Sequence, residues 1–403
     1  MAMMRYEWKK IFERRLNAAA MLLGYALIII CIFSYLAQES FYDENSGAYI
    51  EGTEALHLDQ ERAKMQTDII TEEYVTKLIG EIQSHGMDLE SDKAYVEIIR
   101  PLGNIFYFVS KNYTDMREKN TDIGALGRVD LTDGARFYEM RMEKISNYLN
   151  CDFSFGNYKE IEKEYWIKKA QNTNIPFRWG SISVMDSLLS LTFVGLYLQL
   201  VIVICVSSVF SYEYEQGAAS LLLTTKHGKS KMILSKIAVS LIFTVCYLSG
   251  GALLAVGVTA ALVGLPGADL PIQLWDSVIP YNLTVGQTLL AAAAVNLMIG
   301  VTITLVLLCC SAGLRSSFVT LVIGAAIIIA PAFFDMSRES GVWNHINYLF
   351  PVRVFDIKNV ISSYVSYTFG DIVIPYLEMA VIVYAVISIV AFMFTKKGFV
   401  KAG

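Results

Sequence analysis

The stretch Ser211–Lys236, SYEYEQGAASLLLTTKHGKSKMILSK, holds the densest set of residues that could do chemistry. Its His227-Gly228-Lys229-Ser230 looks like the end of a phosphate-binding loop. That loop needs Gly-x-x-x-x-Gly-Lys-Ser/Thr after a buried strand and at the start of a helix. Five residues before Gly228 stands Leu223, Gly217 is too distant, and the preceding apolar run, Met185–Phe210, is too long for a strand. No other part of the chain carries the pattern, so direct nucleotide hydrolysis is not expected. Metal chemistry has no better footing. The four histidines, His57, His85, His227 and His345, stand apart, and no Cys/His spacing suits zinc. Five of the six cysteines lie in apolar stretches, where cysteine acts as a small core residue, and only Cys151 is in the large polar region. No His-Glu-x-x-His and no paired intramembrane Asp points to a protease. The sequence predicts a chain without catalytic, cofactor-binding or metal-binding residues of its own.

The elements around this insert are hydrophobic. The 403 residues are 54% hydrophobic and 18% charged, against about a quarter charged in soluble domains. A bilayer crossing needs about 20 apolar residues, and six runs approach or exceed that length: Ala18–Ala37, Met185–Phe210, Met232–Gly264, Thr284–Ser311, Ser317–Phe334 and Ile374–Thr395. The first is too long for a signal-peptide core and lacks a small-x-small cleavage site. The fold class expected is an all-α membrane protein with six transmembrane helices. Its parts are a cytoplasmic amphipathic helix over 1–17, a first span over 18–37, an extracellular and mostly helical domain over 38–184, and five further spans over 185–403. Those five enclose a cytoplasmic loop at 211–236 and an outer interfacial segment at 336–373.

Charge sets the orientation. Lys and Arg crowd the first fifteen residues, return at Lys226, Lys229, Lys231 and Lys236, at Arg315, and at Lys396, Lys397 and Lys401, and are absent from Gly264–Leu283. The positive-inside rule places both termini in the cytoplasm of a cell membrane, with bacterial plasma membrane the expected setting. Arg338, Arg353 and Lys358 in the outer segment run against that rule. Before the first span, Met4, Trp8, Ile11, Phe12 and Arg15 share one helical face, the pattern of a helix lying flat in the interface with Trp8 and Phe12 at the headgroups. In the 38–184 domain, helices are expected over Ile69–Ile82, over Tyr95–Ile99 with an end or kink at Pro101, from Thr132 or Asp133 through Leu149, and over Tyr158–Ala170 with Trp166 as anchor. Its carboxylates, such as Glu72 and Glu73, read as solvated helix faces.

The insert itself carries Glu213, Glu215, Lys226, Lys229, Lys231 and Lys236, each of which disfavours the bilayer centre by about 2.5–3.5 kcal/mol. Most of it therefore belongs outside the membrane, with Leu221, Leu222 and Leu223 on a short helix inviting a protein partner or packing on the chain's own leader helix. The stretch resembles the loop after the second span in permease subunits of type-two ATP-binding cassette exporters. Glu213, Glu215, Gly217, Leu221, Leu223, Thr225, Gly228 and Lys236 match that pattern. Lys226 and Lys229 stand where many relatives have Pro and Arg. The amphipathic leader and the "NYLFPVRVF" segment before the last span agree as well.

The resemblance implies that residues 211–236, Leu222 included, form a coupling helix docked on a separate ATPase, which binds ATP and magnesium. It implies a second permease subunit, identical or not, with the first and fifth spans at the contact and the second and fifth lining the path. On that reading the lining comprises Val194, Leu198, Val201, Ile202 and Cys205 with Val322, Ala326 and Ile329. Glu378, about one turn inside the outer end of the last span, would meet a cationic group or be a hydrogen-bonded structural carboxylate. So apolar a path suits a hydrophobic or amphipathic peptide, antibiotic or lipid-like cargo. The alternatives are an ion-exporting permease of the same class and a multi-span sensor with an extracellular domain. Among the deep polar groups only Gln199 and Asn296 stand out, which disfavours ion coupling. Glycines Gly250, Gly251, Gly257 and Gly324 point to close helix packing. Nucleic acid is not an expected partner.

Overall fold

The computed structural model describes residues 2–43, 46–118, 120–154, 156–224, 231–337 and 339–402. Thr225 to Ser230, including the matched Thr225 and Gly228 and the lysines Lys226 and Lys229, lie outside the described residues, as does Arg338. Five helical stretches are long and apolar enough to cross a bilayer: Arg15–Gln38, Ser183–Glu215, Lys231–Val263, Val285–Leu314 and Tyr376–Phe399. The chain is a multi-pass membrane protein of mostly helical fold. The fifth of the six expected spans is shorter than these. Ser317–Ile329 is α-helical and passes into a tighter 3-10 turn, Ala330–Phe333, at Pro331. Proline lacks the donor needed to continue the helix ladder. Seventeen residues rise about 25 Å, below the ~30 Å of a hydrocarbon core.

These helices run between two polar ends. At one end the leader helix, Ala2–Glu13, meets the turn after Ser183–Glu215, the start of Lys231–Val263 and the end of the last helix, where the Tyr214 hydroxyl donates to Phe399 O. At the other end sits the domain inserted between the first two long helices. The backbone breaks at Arg14, which is extended (φ −75°, ψ 117°), so the leader turns off the first long helix there. The leader packs on the bundle. Ile11 is buried against the bundle and Phe12 packs edge-on to Phe243 at 6.0 Å, although Phe12 is still 43% exposed.

The inserted domain is helical with small strand pairs. Thr71 caps helix Glu72–Ser84 through Tyr74 N, and Val75, Leu78, Ile79 and Ile82 turn inward, as their 3.6-residue period requires. Around Tyr95–Ile99 the helix widens by one π turn just before Pro101, and it stops at Gly103 (φ +60°). The helix expected from Thr132 is two: Asp130 caps Leu131–Gly134, and Phe137–Leu149 follows. Glu160–Gln171 buries Trp166 completely. Two antiparallel residue pairs, Ile69 with Arg178 and Ile70 with Phe177, close the domain. Its core stacks Phe106, Phe108, Phe137, Tyr138, Phe177 and Trp179.

The domain is fixed to later parts of the chain. Arg141, 2% exposed, donates to Ser277 O, Ile279 O and Ala170 O. The buried Tyr364 hydroxyl donates to Val278 O. The lysine-free loop is thus a socket for an arginine, and backbone carbonyls satisfy that charge. The exceptional cations of the outer segment are also used structurally. Lys358 pairs with Asp186 and bonds Ser190 Oγ, and Arg353 donates to Phe334 O at 3.0 Å. The last apolar run begins later than its hydropathy suggests. Ile372–Pro375 pairs with Ser366–Phe369 around Gly370 (φ +59°), so Ile374 belongs to a hairpin and the helix starts at Tyr376. β-branched Ile372, Val373 and Ile374 favour a strand, and Gly370 permits the tight turn.

Candidate coupling site

Lys236 opens the third long helix, and its side chain is 1% exposed. Its Nζ donates to Glu7 Oε2 at 2.9 Å, to Glu213 Oε1 at 2.9 Å and to Val209 O at 3.0 Å. Lys10 Nζ reaches the same Glu213 oxygen at 2.7 Å. Two cations and two carboxylates therefore join three separate stretches: the leader, the turn after the second long helix, and the third long helix. A buried ammonium is tolerated only when paired and hydrogen-bonded, and here all three of its protons have acceptors. Burial opposes the charge on Lys10, but the Glu213 hydrogen bond and the Glu7 charge outweigh it and hold its pKa above the usual lysine value. Arg14 adds a bond to Ser208 Oγ and lies 4.5 Å from the Tyr212 ring centre. A cavity of about 30 Å³, the size of one or two waters, lies among these side chains.

Glu215 does something different. Its Oε1 accepts from Ser317 N at 2.7 Å, so it occupies an orphan donor at the start of the Ser317–Ile329 helix. Beside it Ser211 Oγ and Ser317 Oγ are 2.8 Å apart, and Ser311 Oγ accepts from Phe210 N and Ser211 N. Gly217 takes φ +67°, which ends Ser211–Glu215 and lets the chain turn into Ala219–Thr224. On that short helix Ala219 is buried, Leu222 packs on the core and Leu221 is 71% exposed. The side chain of Leu223 is outside the described set. The insert thus presents an exposed leucine on the short helix that follows the ionic cluster in the chain.

The predicted path residues are not brought together. Val194, Leu198, Val201, Ile202 and Cys205 are buried inside the bundle, and Leu198 fills the space over Gly24 and Gly251. The second and fifth helices do touch, but through Val203 against Gly324, where an added Cβ would come within 2.8 Å. Val322, Ala326 and Ile329 instead lie on an open stripe with Phe318 and Phe333. Glu378 meets a cation of its own chain: Lys169 of the inserted domain lies 4.0 Å away, with its Nζ 3.7 Å from the Tyr281 ring centre. Trp8 is partly buried against the core.

Sequence reasoning grouped Lys236 with the exposed loop charges. Its signal was there: a lone lysine one turn inside an apolar run. At mid-bundle the buried Gln199 donates to Asn296 O at 3.0 Å and Asn296 Oδ1 at 2.8 Å, a polar clasp between the second and fourth long helices. Among the described residues no group of three or more His, Cys, Asp or Glu is placed to hold a metal. Comparison with family models, with curated proteins and with solved structures found no match to this chain.

Proposed function

We propose that this chain is the membrane-spanning permease subunit of a type-two ATP-binding cassette exporter. It would move an amphipathic or hydrophobic cargo with energy from ATP hydrolysed, with magnesium, on a separate subunit. The observation that carries the reading is the Lys236–Glu7–Glu213–Lys10 cluster. It ties the leader and the turn at Glu213 to the third helix, and the short helix with the exposed Leu221 follows Glu213 directly in the chain. A partner pulling on Ala219–Thr224 would then displace three elements as one body, which is what transmission of a nucleotide-driven movement requires.

Six crossings follow, with Ser317–Phe333 as a short fifth. The termini and residues 211–236 are cytoplasmic, and the 38–184 domain is outside. The apolar stripe Phe318, Val322, Ala326, Ile329 and Phe333, together with exposed Leu22, Leu23, Ile30 and Phe33 on the first helix, is the face on which a second permease subunit would pack in place of lipid. The cargo path then runs along that face and not through the buried second-helix residues.

The test is purification from native membranes with any stably bound subunit. The complex should hydrolyse ATP, and the chain alone should not. Leu221→Asp should release the ATPase subunit while the chain stays folded and inserted. An intact complex from Leu221→Asp, or no ATPase subunit at all, refutes the reading.

A further inference from the structure

At the domain end a cavity of about 1140 Å³ opens between the inserted domain and the outer segment. Tyr148, Tyr158 and Glu162 face it from the domain, and His345, Tyr348 and Tyr367 from the outer segment. That volume suits a drug-sized ligand or a short peptide. Met336 and Ser337, which follow the short apolar helix, are also on its wall, so it adjoins that helix's outer end.

Its charge is unusual. Glu162 is 9% exposed, and among the described residues no cation pairs with it. Three neutral donors hold it instead: Thr368 Oγ1 at 2.6 Å and Ser366 Oγ at 3.2 Å on Oε1, and Lys159 N at 2.9 Å on Oε2. His345 does not neutralise it directly. Its Nδ1 lies 2.6 Å from Gly341 O and its Nε2 3.0 Å from Ser366 O, so the ring is turned to backbone carbonyls, to one of which a neutral imidazole donates, and not to Glu162. The Lys159 side chain is exposed at the rim. Buried carboxylates are ordinarily paired with a cation. A fixed negative charge under a wall of tyrosine rings attracts an ammonium group from both directions, since ring faces also carry negative potential.

We propose that this groove binds a cationic amphiphile, with the ammonium group toward Glu162 and the apolar body against the tyrosines. The proposal rests on the export reading only in regarding the ligand as cargo; the binding itself needs no ATPase. The test uses the full chain in a neutral maltoside detergent and a dodecylammonium photoprobe carrying a diazirine. Saturable labelling is expected within residues 154–162 and 341–369, displaced by dodecyltrimethylammonium and not by dodecyl sulfate. Glu162→Gln, which keeps an acceptor for the two hydroxyls, should weaken the half-saturation point about tenfold, as for loss of a strong charge contact. Val342→Trp, on the exposed rim, should abolish saturable labelling, and it decides the matter if Glu162→Gln fails to fold. Equal displacement by dodecyl sulfate, unchanged affinity in Glu162→Gln, or labelling confined to the long apolar helices overturns the proposal. Failure of the Leu221→Asp experiment with this result intact would leave a cation-binding membrane protein that is not a permease.

Discussion

Replacing Lys236 by Met removes one ammonium from a site where it is almost fully enclosed. Glu213 and Glu7 are 8% and 11% exposed there, and Lys10, 28% exposed, is the cation left to them. Removing one partner of a buried ion pair destabilises by about 3–5 kcal/mol, because the orphaned charge stays desolvated. Lys10 already holds Glu213 at 2.7 Å and approaches Glu7 only to 3.7 Å. The residual pairing limits the loss to the low end, about 3 kcal/mol, and most of it falls on Glu7. A double-mutant cycle of Lys236→Met with Glu7→Gln should therefore return a coupling of about 1–3 kcal/mol. The quadruple change Lys10→Met, Lys236→Met, Glu7→Gln, Glu213→Gln should recover much of the loss, since only a cluster with both cations and both carboxylates removed is neutral and buries no unpaired charge. Unfolding in mixed micelles, read by tryptophan emission and by protection of a cysteine at Ile11, gives these values. A Lys236→Met protein within about 0.5 kcal/mol of wild type, or an additive cycle, refutes the argument that this cluster locks the three elements.

Glu215→Ala should destabilise the Ser317–Ile329 helix by about 1 kcal/mol, seen as faster amide exchange at Ser317 to Val319, and Glu215→Gln should cost less. Gly324→Ala would drive a Cβ to 2.5 Å from Leu307 and 2.8 Å from Val203, so it should lower stability by about 1–3 kcal/mol in a thermal melt. In the inserted domain, burial pushes the Lys144 pKa down from 10.5 to about 8, and its amine donates to Lys111 O. Between those values the unfolded chain binds the extra proton, so domain stability should rise as pH goes from about 8 to 10.5, by at most about 3 kcal/mol. Lys144→Met should flatten that rise and raise the melting temperature at pH 7. With an impermeant thiol reagent on intact cells, a cysteine at Lys77 should label and one at Leu221 should not; the reverse pattern would overturn the proposed orientation.

The long helices could be read from the sequence because length and hydropathy alone fix them, and Thr71, Thr284 and Pro101 mark boundaries by local chemistry. Other features depend on residues remote in the chain. Lys236 and Glu7 are 229 positions apart, so no window reveals that one neutralises the other. The second long helix is apolar on every side, so periodicity cannot separate Leu198 in the core from a residue facing a path. Conversely, Val322, Ala326 and Ile329 are as apolar as Leu198 and yet lie open. The run through Ile374 is hydrophobic enough for a helix, but hairpin pairing with Ser366–Phe369 takes precedence over hydropathy there. The fifth apolar run, expected over Ser317–Phe334, was legible in both position and extent, and what the sequence did not show is that its last turn tightens to 3-10 at Pro331.

The arginine socket bears on how the protein is made. The inserted domain is complete in the chain by residue 184, but Arg141 finds Ser277 O only 136 residues after its own position. Tyr364, which closes the same region onto Val278, comes 86 residues later still. At about 5–20 residues per second, the fully translated domain waits roughly 5–20 seconds for the carbonyls that will receive its guanidinium. Until then it is a half-finished surface, open to solvent and to any chaperone that recognises one. Truncation after residue 263 would make that transient permanent, so the domain's maturation is a property of the whole polypeptide.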